Sequence, residues 1–337
     1  MTSREKINAI FDRKNTAGTG YWTGHPHVDT MKIYQQKLNI TDSDDLFRIL
    51  KDDCRFIHAE GCYFHPENKL EFDVTLGVPK TYHGQAGCFA EAETIAEIEN
   101  YPWPDVQYLQ FTNIINYIKQ FPDKAIFTGL WSAFFHIVSD FFGMENYFVK
   151  MYTDPEVVEA VTEHVVSYYE QANDLFFTQL GDAADIFFFG NDLGSQIDLL
   201  MSPELFQKFV LPGIKRLTAV AKKHNKKVLL HSCGSIDRVI PMLIDAGVDA
   251  LHPLQARAKG MDAATLSKLY KNDLTFVGGV DTQDLLVHAT PQQIKEEVYR
   301  LKELFGPNFV VSPSHEALLP NVPLENVIAM SEAAHEL

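Results

Sequence analysis

Cysteine is scarce in this chain of 337 residues, with only Cys54, Cys62, Cys88 and Cys233, and they are scattered rather than regularly spaced. That excludes a small domain stapled by disulfides and fits a reducing, intracellular setting. Positive charge is scarce as well: 29 Lys and Arg face 45 Asp and Glu, a formal net charge of −16. Nucleic acid is therefore not an expected partner, because phosphate binding needs clustered Lys and Arg. A highly acidic substrate is disfavoured on the same ground unless local Arg residues override the field. No run reaches the roughly 18 uninterrupted apolar residues of a membrane span. The longest aromatic-rich stretch, Leu130 to Tyr147, is broken by Ser132, His136, Asp140 and Glu145. The opening Met1-Thr-Ser-Arg-Glu-Lys lacks an apolar leader and reads as the start of a helix capped by Ser3. A soluble, cytoplasmic protein is expected. Low-complexity tracts and fixed-period repeats are also missing, and no Gly-rich phosphate fingerprint follows the first strand.

What is present is an ordinary globular composition, 46% hydrophobic and 22% charged, with ample material for a core. Short apolar runs alternate with longer helical segments. Gly20–Gly24, Cys54–Glu60, Ala125–Leu130, Ala184–Gly190, Lys227–Leu230, Ala250–Leu254, Leu274–Val277 and Asn308–Val311 read as eight buried strands. Helices are predicted over Pro155–Leu180, Pro203–His224, Ile236–Ala246, Asp262–Tyr270 and Pro291–Phe305. Pro203 and Pro291 each follow a Ser or Thr, the residue pairing that opens helices. Residues Pro66–Asp105 read as a loop insertion after the second strand, with room for a small hairpin. Strand–helix alternation through a whole chain predicts a parallel sheet, and eight such units suit a single (β/α)8 barrel over residues 1–337.

Barrel enzymes carry their chemistry at the C-terminal strand ends. Here five consecutive ends are polar: Asn191-Asp192 with Gly194-Ser195-Gln196; His231-Ser232-Cys233-Gly234; His252 with Gln255; Gly279-Val280-Asp281; and Ser314-His315-Glu316. In extended backbone, residues i and i+2 face the same way, so His231 and Cys233 can share one ion. Zinc accepts such nitrogen–sulfur sets, and His315 is the best candidate for a third ligand. Glu316, Cys62 and Cys88 are the alternatives. The bland counterpart is a packed Cys beside a hydrogen-bonded His. Asp192 and Asp281 can handle protons, or can equally cap the helices that follow them. Gln196 and Gln255 can position a substrate or merely satisfy loop backbone. Trp131 can wall a pocket, with Phe134 and Phe135 beside it. Of the histidines loosely clustered in the first quarter (His25, His27, His58, His65, His83), His25 is taken as a substrate contact.

The segments GNDLGSQ (190–196), MSPELFQKFVLP (201–212), HSCGSI (231–236), DAGVDALHPLQ (245–255), GGVDTQDLL (278–286), SPSH (312–315) and NVPLENVIAM (321–330) resemble the uroporphyrinogen decarboxylase-like superfamily. ETIAEIENYPWPD (93–105) and FFGMENYFVKMYTDPE (141–156) extend the resemblance over nearly the whole chain. It implies a (β/α)8 barrel and divides into decarboxylases and cobalamin-linked methyltransferases. The decarboxylases resemble one another in an N-terminal Arg-rich segment that binds substrate carboxylates. Here that region reads Gly20-Tyr-Trp-Thr-Gly-His-Pro-His27, without Arg. Neither Tyr nor His replaces a bidentate guanidinium, so porphyrin decarboxylation is not expected.

The methyltransferase branch is similar in its His-x-Cys, matched by His231 and Cys233, followed much later by a Cys ligand. At that third place this chain has His315, which makes the metal more Lewis acidic and leaves the methyl acceptor open. The resemblance implies a zinc-dependent methyltransferase, exchanging a methyl group between a small substrate or thiol and a corrinoid. The chain has no Asp-x-His-x-x-Gly pattern, so a partner protein is expected to carry the corrinoid. The alternatives are a metal-independent lyase or decarboxylase using Asp192 or Asp281, and a barrel that binds a tetrapyrrole without chemistry.

Overall fold

Strand residues such as Ile186 and Phe188 project to one side of the sheet and Phe187 and Phe189 to the other, yet all four are buried. A strand that must bury both faces needs a core inside and a helical layer outside, which a closed parallel barrel supplies. The computed structural model describes residues 1–77 and 86–336. Its sheet contains β1 (Gly20–Tyr21), β2 (Cys54–Phe56), β3 (Ala125–Thr128), β4 (Ile186–Gly190), β5 (Lys227–His231), β6 (Ala250–Leu254), β7 (Thr275–Val280) and β8 (Phe309–Pro313). All pair in parallel, in the order β1-β8-β7-β6-β5-β4-β3-β2. The inner core gathers Trp22, Cys54, Phe127, Ile186, Phe188, Leu229, Ala250, Val277 and Val310. Ile7, Ile10 and Phe11 of the first helix, Ser3–Phe11, join it and plug the end of the barrel opposite the C-terminal strand ends. All eight expected strands form, several of them shorter than the apolar runs suggest.

The barrel closes where β1 meets β2, and side chains make that seam. Asp53 donates its N–H to Tyr21 O at 3.0 Å. Its carboxylate accepts the Tyr21 N–H at 2.9 Å, and Asp52 Oδ1 accepts the Thr23 N–H at 3.0 Å. Lys6 pairs with Asp53 from below. Carboxylates thus take the place of a longer backbone ladder, which accounts for a β1 of only two residues.

The helices at Pro155–Leu180 and Pro291–Phe305 have the expected bounds, and Ala263–Tyr270 opens on an Asp262 cap. Two details differ from expectation. The helical stretch from Pro203 to Lys223 contains a π turn at Phe206–Val210. Pro212 has no N–H to offer, so the hydrogen-bond register slips by one residue just before it. The first helix is capped by Thr2, not Ser3, because Thr2 and Glu5 form a reciprocal capping box. The insertion also departs from expectation: among the described residues of 66–105 there is no hairpin, only a short helix at Ile95–Glu99. Aromatic anchors hold this strap instead of strand pairing. Phe72 packs edge-on to Phe141 and Tyr168, and Phe89 stacks on Phe141 at 5.1 Å. The helices Val28–Leu38, Ser43–Ile49, Phe134–Phe142, Met144–Thr153 and Leu324–His335 complete the outer layer and were not anticipated. No described helix is long and apolar enough to cross a membrane.

Burial pushes the Asp52 carboxyl up to about 8, against the pull of its hydrogen bonds from Thr23. An unfolded Asp titrates near ~3.9, so across that window the folded chain holds a proton the unfolded chain has released. Stability contributed by this group is greatest below that window, falls as pH rises through it, and levels off above about 8. Asp52→Asn keeps an acceptor for Thr23 and removes the titration. Its melting temperature relative to wild type should climb between pH 5 and 8, on the order of 5 °C, and then plateau. A difference that does not change with pH contradicts this account of the seam.

Candidate functional site

β5 delivers the central residues. Alternation along it turns Leu229 and His231 into the barrel, and Cys233 follows at the mouth just before a bend at Gly234. Neighbouring strand ends pin that bend. The Ser232 N–H donates to His252 O at 2.8 Å, and the Cys233 N–H donates to Asp192 Oδ1 at 2.9 Å. Gln255 Oε1 accepts the Gly234 N–H. Gly234 has φ +90°, and a Cβ there would lie 2.2 Å from Gly194 O, so only glycine lets the two loops meet.

The functional atoms converge on His231 Nε2. Cys233 Sγ lies 3.4 Å from it and Asp192 Oδ1 3.2 Å. These three donor atoms fall within 4.8 Å of one another. Zinc bonds to nitrogen, oxygen and sulfur place neighbouring ligands roughly 3.3–3.6 Å apart in a tetrahedron, and the two separations from His231 Nε2 are close to that range. Its chemistry fits as well, since a soft thiolate, an imidazole and a carboxylate suit zinc better than the oxygen-only sets preferred by magnesium or calcium.

Charge within the cluster is mutually stabilised. Burial alone would lower His231, but hydrogen bonds to Asp192 and Cys233 and the nearby Glu316 raise it to about 10. Burial alone would raise Cys233, but His231 and His315 outweigh it and hold the thiol below its ordinary value. Burial would likewise raise Asp192, and His231 pulls its carboxyl down. The cluster thus favours a protonated imidazole beside the Asp192 carboxylate and a Cys233 thiol held below its ordinary value.

His315 also reaches this cluster. The Cys233 sulfur raises its pKa, and its Nδ1 accepts the Ala317 N–H at 3.1 Å. Glu316 places Oε2 at 3.5 Å from His231 Nδ1 and 3.6 Å from His315 Nδ1, with no hydrogen-bond partner of its own. Beneath them His252 Nδ1 meets His231 Nδ1 at 3.0 Å. His231, His252 and Glu316 form a second group of potential ligands sharing the same imidazole.

The other expected residues separate into those at the mouth and those elsewhere. Trp131 borders the site, its ring 5.4 Å from His231 and laid so closely over Gly190 that a Cβ there would touch it at 2.2 Å. Gln255 is buried and holds the β5 loop, while Gln196 is exposed on the β4 loop. Asp281 takes the capping role: it accepts the N–H groups of Gln283, Asp284 and Leu285 and pairs with Arg257 at 2.9 Å. His25 lines a cavity of about 220 Å³ at the β1–β2 seam with Trp22, Asp52, Arg55 and Phe56. His27 caps the helix Val28–Leu38, and Cys62, just before the insertion, and Cys88, within it, have thiols raised by burial. Phe134 and Phe135 are plain core. His83 lies outside the described residues. The sequence reading gave no role to His252, or to His136, whose Nε2 accepts the Asp192 N–H at 2.9 Å. The inward alternation on β6 was the available signal for His252.

Comparison with known proteins bears on both fold and chemistry. The sequence pattern of the uroporphyrinogen decarboxylase (URO-D) family matches residues 75–337. Similar relatives include a methylated-thiol–coenzyme M methyltransferase of Methanosarcina mazei, 26% identical over 257 residues, covering 71% of this chain and 62% of that protein. A methylcobamide:CoM methyltransferase of Methanosarcina barkeri is 28% identical over 137 residues, covering 41% of this chain and 38% of that protein. The matches thus span less than two thirds of the length of either relative. A solved methyltransferase structure from Methanosarcina mazei aligns over 99% of this chain and 98% of its own, with TM-score 0.69 at 18% identity. That likeness shows the (β/α)8 barrel fold.

The charge arrangement predicts thiol reactivity. In chelator-treated protein at pH 7, Cys233 should alkylate with iodoacetamide about tenfold or more faster than Cys62 or Cys88, because only its thiol is held low. His231→Gln should remove most of that advantage. Faster labelling of Cys88, followed by peptide mass spectrometry, would contradict the proposed ion pair.

Proposed function

The chain belongs to the uroporphyrinogen decarboxylase (URO-D) family, and from that premise we propose that it is a zinc-dependent methyltransferase. The methyl group would pass between a small substrate or thiol and a corrinoid carried by a separate protein. The observation that carries this reading is the convergence of Cys233, His231 and Asp192 donor atoms within 4.8 Å at the barrel mouth. The activities of the two Methanosarcina relatives, both methyltransferases, support the same reaction class.

Each residue has a part that follows from its surroundings. A donor that now shares a proton with His231 Nε2 or Cys233 Sγ is a donor for a cation that replaces that proton. His231, Cys233 and Asp192 would therefore hold the zinc, and His315 stands next to them as a fourth donor. Bound there, zinc would act as a Lewis acid, lowering the pKa of a thiol substrate or polarising the heteroatom of a methyl donor. Trp131 supplies an apolar wall over Gly190, which excludes water from one side of the reacting atoms. Gln255 fixes the loop that carries Cys233, and exposed Gln196 is positioned to meet the substrate or its carrier. The lyase alternative has less to rest on. Asp281 spends its carboxylate on three N–H groups and Arg257, so it is poorly placed to move a proton.

Elemental analysis of protein prepared without chelators should find about one zinc per chain, lost in Cys233→Ala. Asp192→Asn should weaken zinc binding more than His315→Ala does. With methylcobalamin and a panel of small thiols, Cys233→Ala should lower turnover at least about 100-fold, read from the corrinoid absorbance. Wild-type protein without stoichiometric metal would overturn the proposal.

A further inference from the structure

Two imidazoles meet beneath the site, and their geometry admits few proton arrangements. His231 Nδ1 and His252 Nδ1 are 3.0 Å apart, a true hydrogen bond, and the residues are only 3% and 1% exposed. One proton lies between the two nitrogens. Two N–H groups facing each other would repel, and two lone pairs would leave both acceptors unsatisfied in the interior. For His231 to offer Nε2 to a cation while neutral, its own proton must sit on Nδ1. His252 Nδ1 must then be the acceptor, with its proton on Nε2. That Nε2 has no hydrogen-bond partner and lies among rings, with Trp22 centred 5.0 Å and Phe188 5.5 Å from the imidazole.

The geometry points to His252 as the positioning residue for the metal ligand His231: it accepts the His231 Nδ1–H, fixing the tautomer and ring orientation that present Nε2 to Asp192 and Cys233. This inference rests on the zinc reading of the site. Carboxylates and backbone carbonyls are the usual acceptors behind a ligating histidine. Here the nearest carboxylate, Glu316, is farther away, at 3.5 Å. A neutral imidazole accepts the proton without bringing a second charge into the barrel, where Trp22 and Phe188 leave nothing to solvate one. The bend after β5 also depends on this strand end, since Ser232 donates to His252 O. The main chain and the side chain of His252 thus hold consecutive residues of the His-Ser-Cys segment.

The test is zinc affinity, measured by competition with a chromophoric chelator, for wild type, His252→Leu and His252→Asn. Leu removes the acceptor, whereas the Asn carboxamide restores an oxygen near the place of Nδ1. His252→Leu should bind zinc about 10- to 100-fold more weakly, and His252→Asn should recover most of that loss. Glu316→Gln should cost less than His252→Leu. If His252→Leu does not fold, His252→Phe, which keeps a ring against Trp22 and Phe188, carries the same comparison. Wild-type affinity in the Leu or Phe variant, or equal losses in Leu and Asn, would overturn the assignment. A wild-type protein that binds no zinc would instead remove the zinc reading itself, a separate outcome seen before any variant is compared.

Discussion

The bond on which the site depends is the contact between His231 Nε2 and its two anionic neighbours, Cys233 Sγ at 3.4 Å and Asp192 Oδ1 at 3.2 Å. An imidazole this deeply buried would ordinarily shed its charge. It keeps the charge because the Asp192 carboxylate, held in place by a backbone N–H, and the Cys233 sulfur both lie against it. Asp192 is fixed by the Cys233 N–H, and its own N–H is fixed by His136. Removing any one member leaves the others desolvated and unpaired.

The barrel makes this contact possible by holding β4, β5 and β6 in fixed register. Gly190 of β4 stands opposite His231 of β5, and His231 opposite His252 of β6. A residue with a side chain at 190 would push Trp131 off the site, and one at 234 would force the β4 and β5 loops apart. The aromatic floor of Trp22, Phe127 and Phe188 fills the inner core below and gives the histidines a dry base. At the far side, where β1 meets β2, carboxylates close the ring that a longer β1 would otherwise close.

Much of this was legible in the residues. Runs such as IFFFG and KVLLH can only be doubly buried strands, and the Pro-led helices between them announce their own starts. His-x-Cys at a strand end is visible because period-two geometry is local. The third candidate donor was less legible: Asp192 and His315 come from the ends of strands four and eight, and only closure of the barrel decides which of them stands beside the imidazole. Asp281 shows the same limit, since a strand-end Asp reads alike whether it faces the mouth or caps the next helix. The lack of a hairpin among the described residues of the insertion was illegible for another reason. Its order comes from Phe72 and Phe89 packing on distant helices, and nothing within the segment itself signals that.

The most direct test of the account is zinc K-edge X-ray absorption of the metal-loaded protein. The account predicts one sulfur at about 2.3 Å, with the remaining ligands nitrogen or oxygen at about 2.0–2.1 Å. Two or more sulfurs would bring Cys62 or Cys88 into the site and contradict the cluster at the mouth, and a shell without sulfur would take Cys233 out of it.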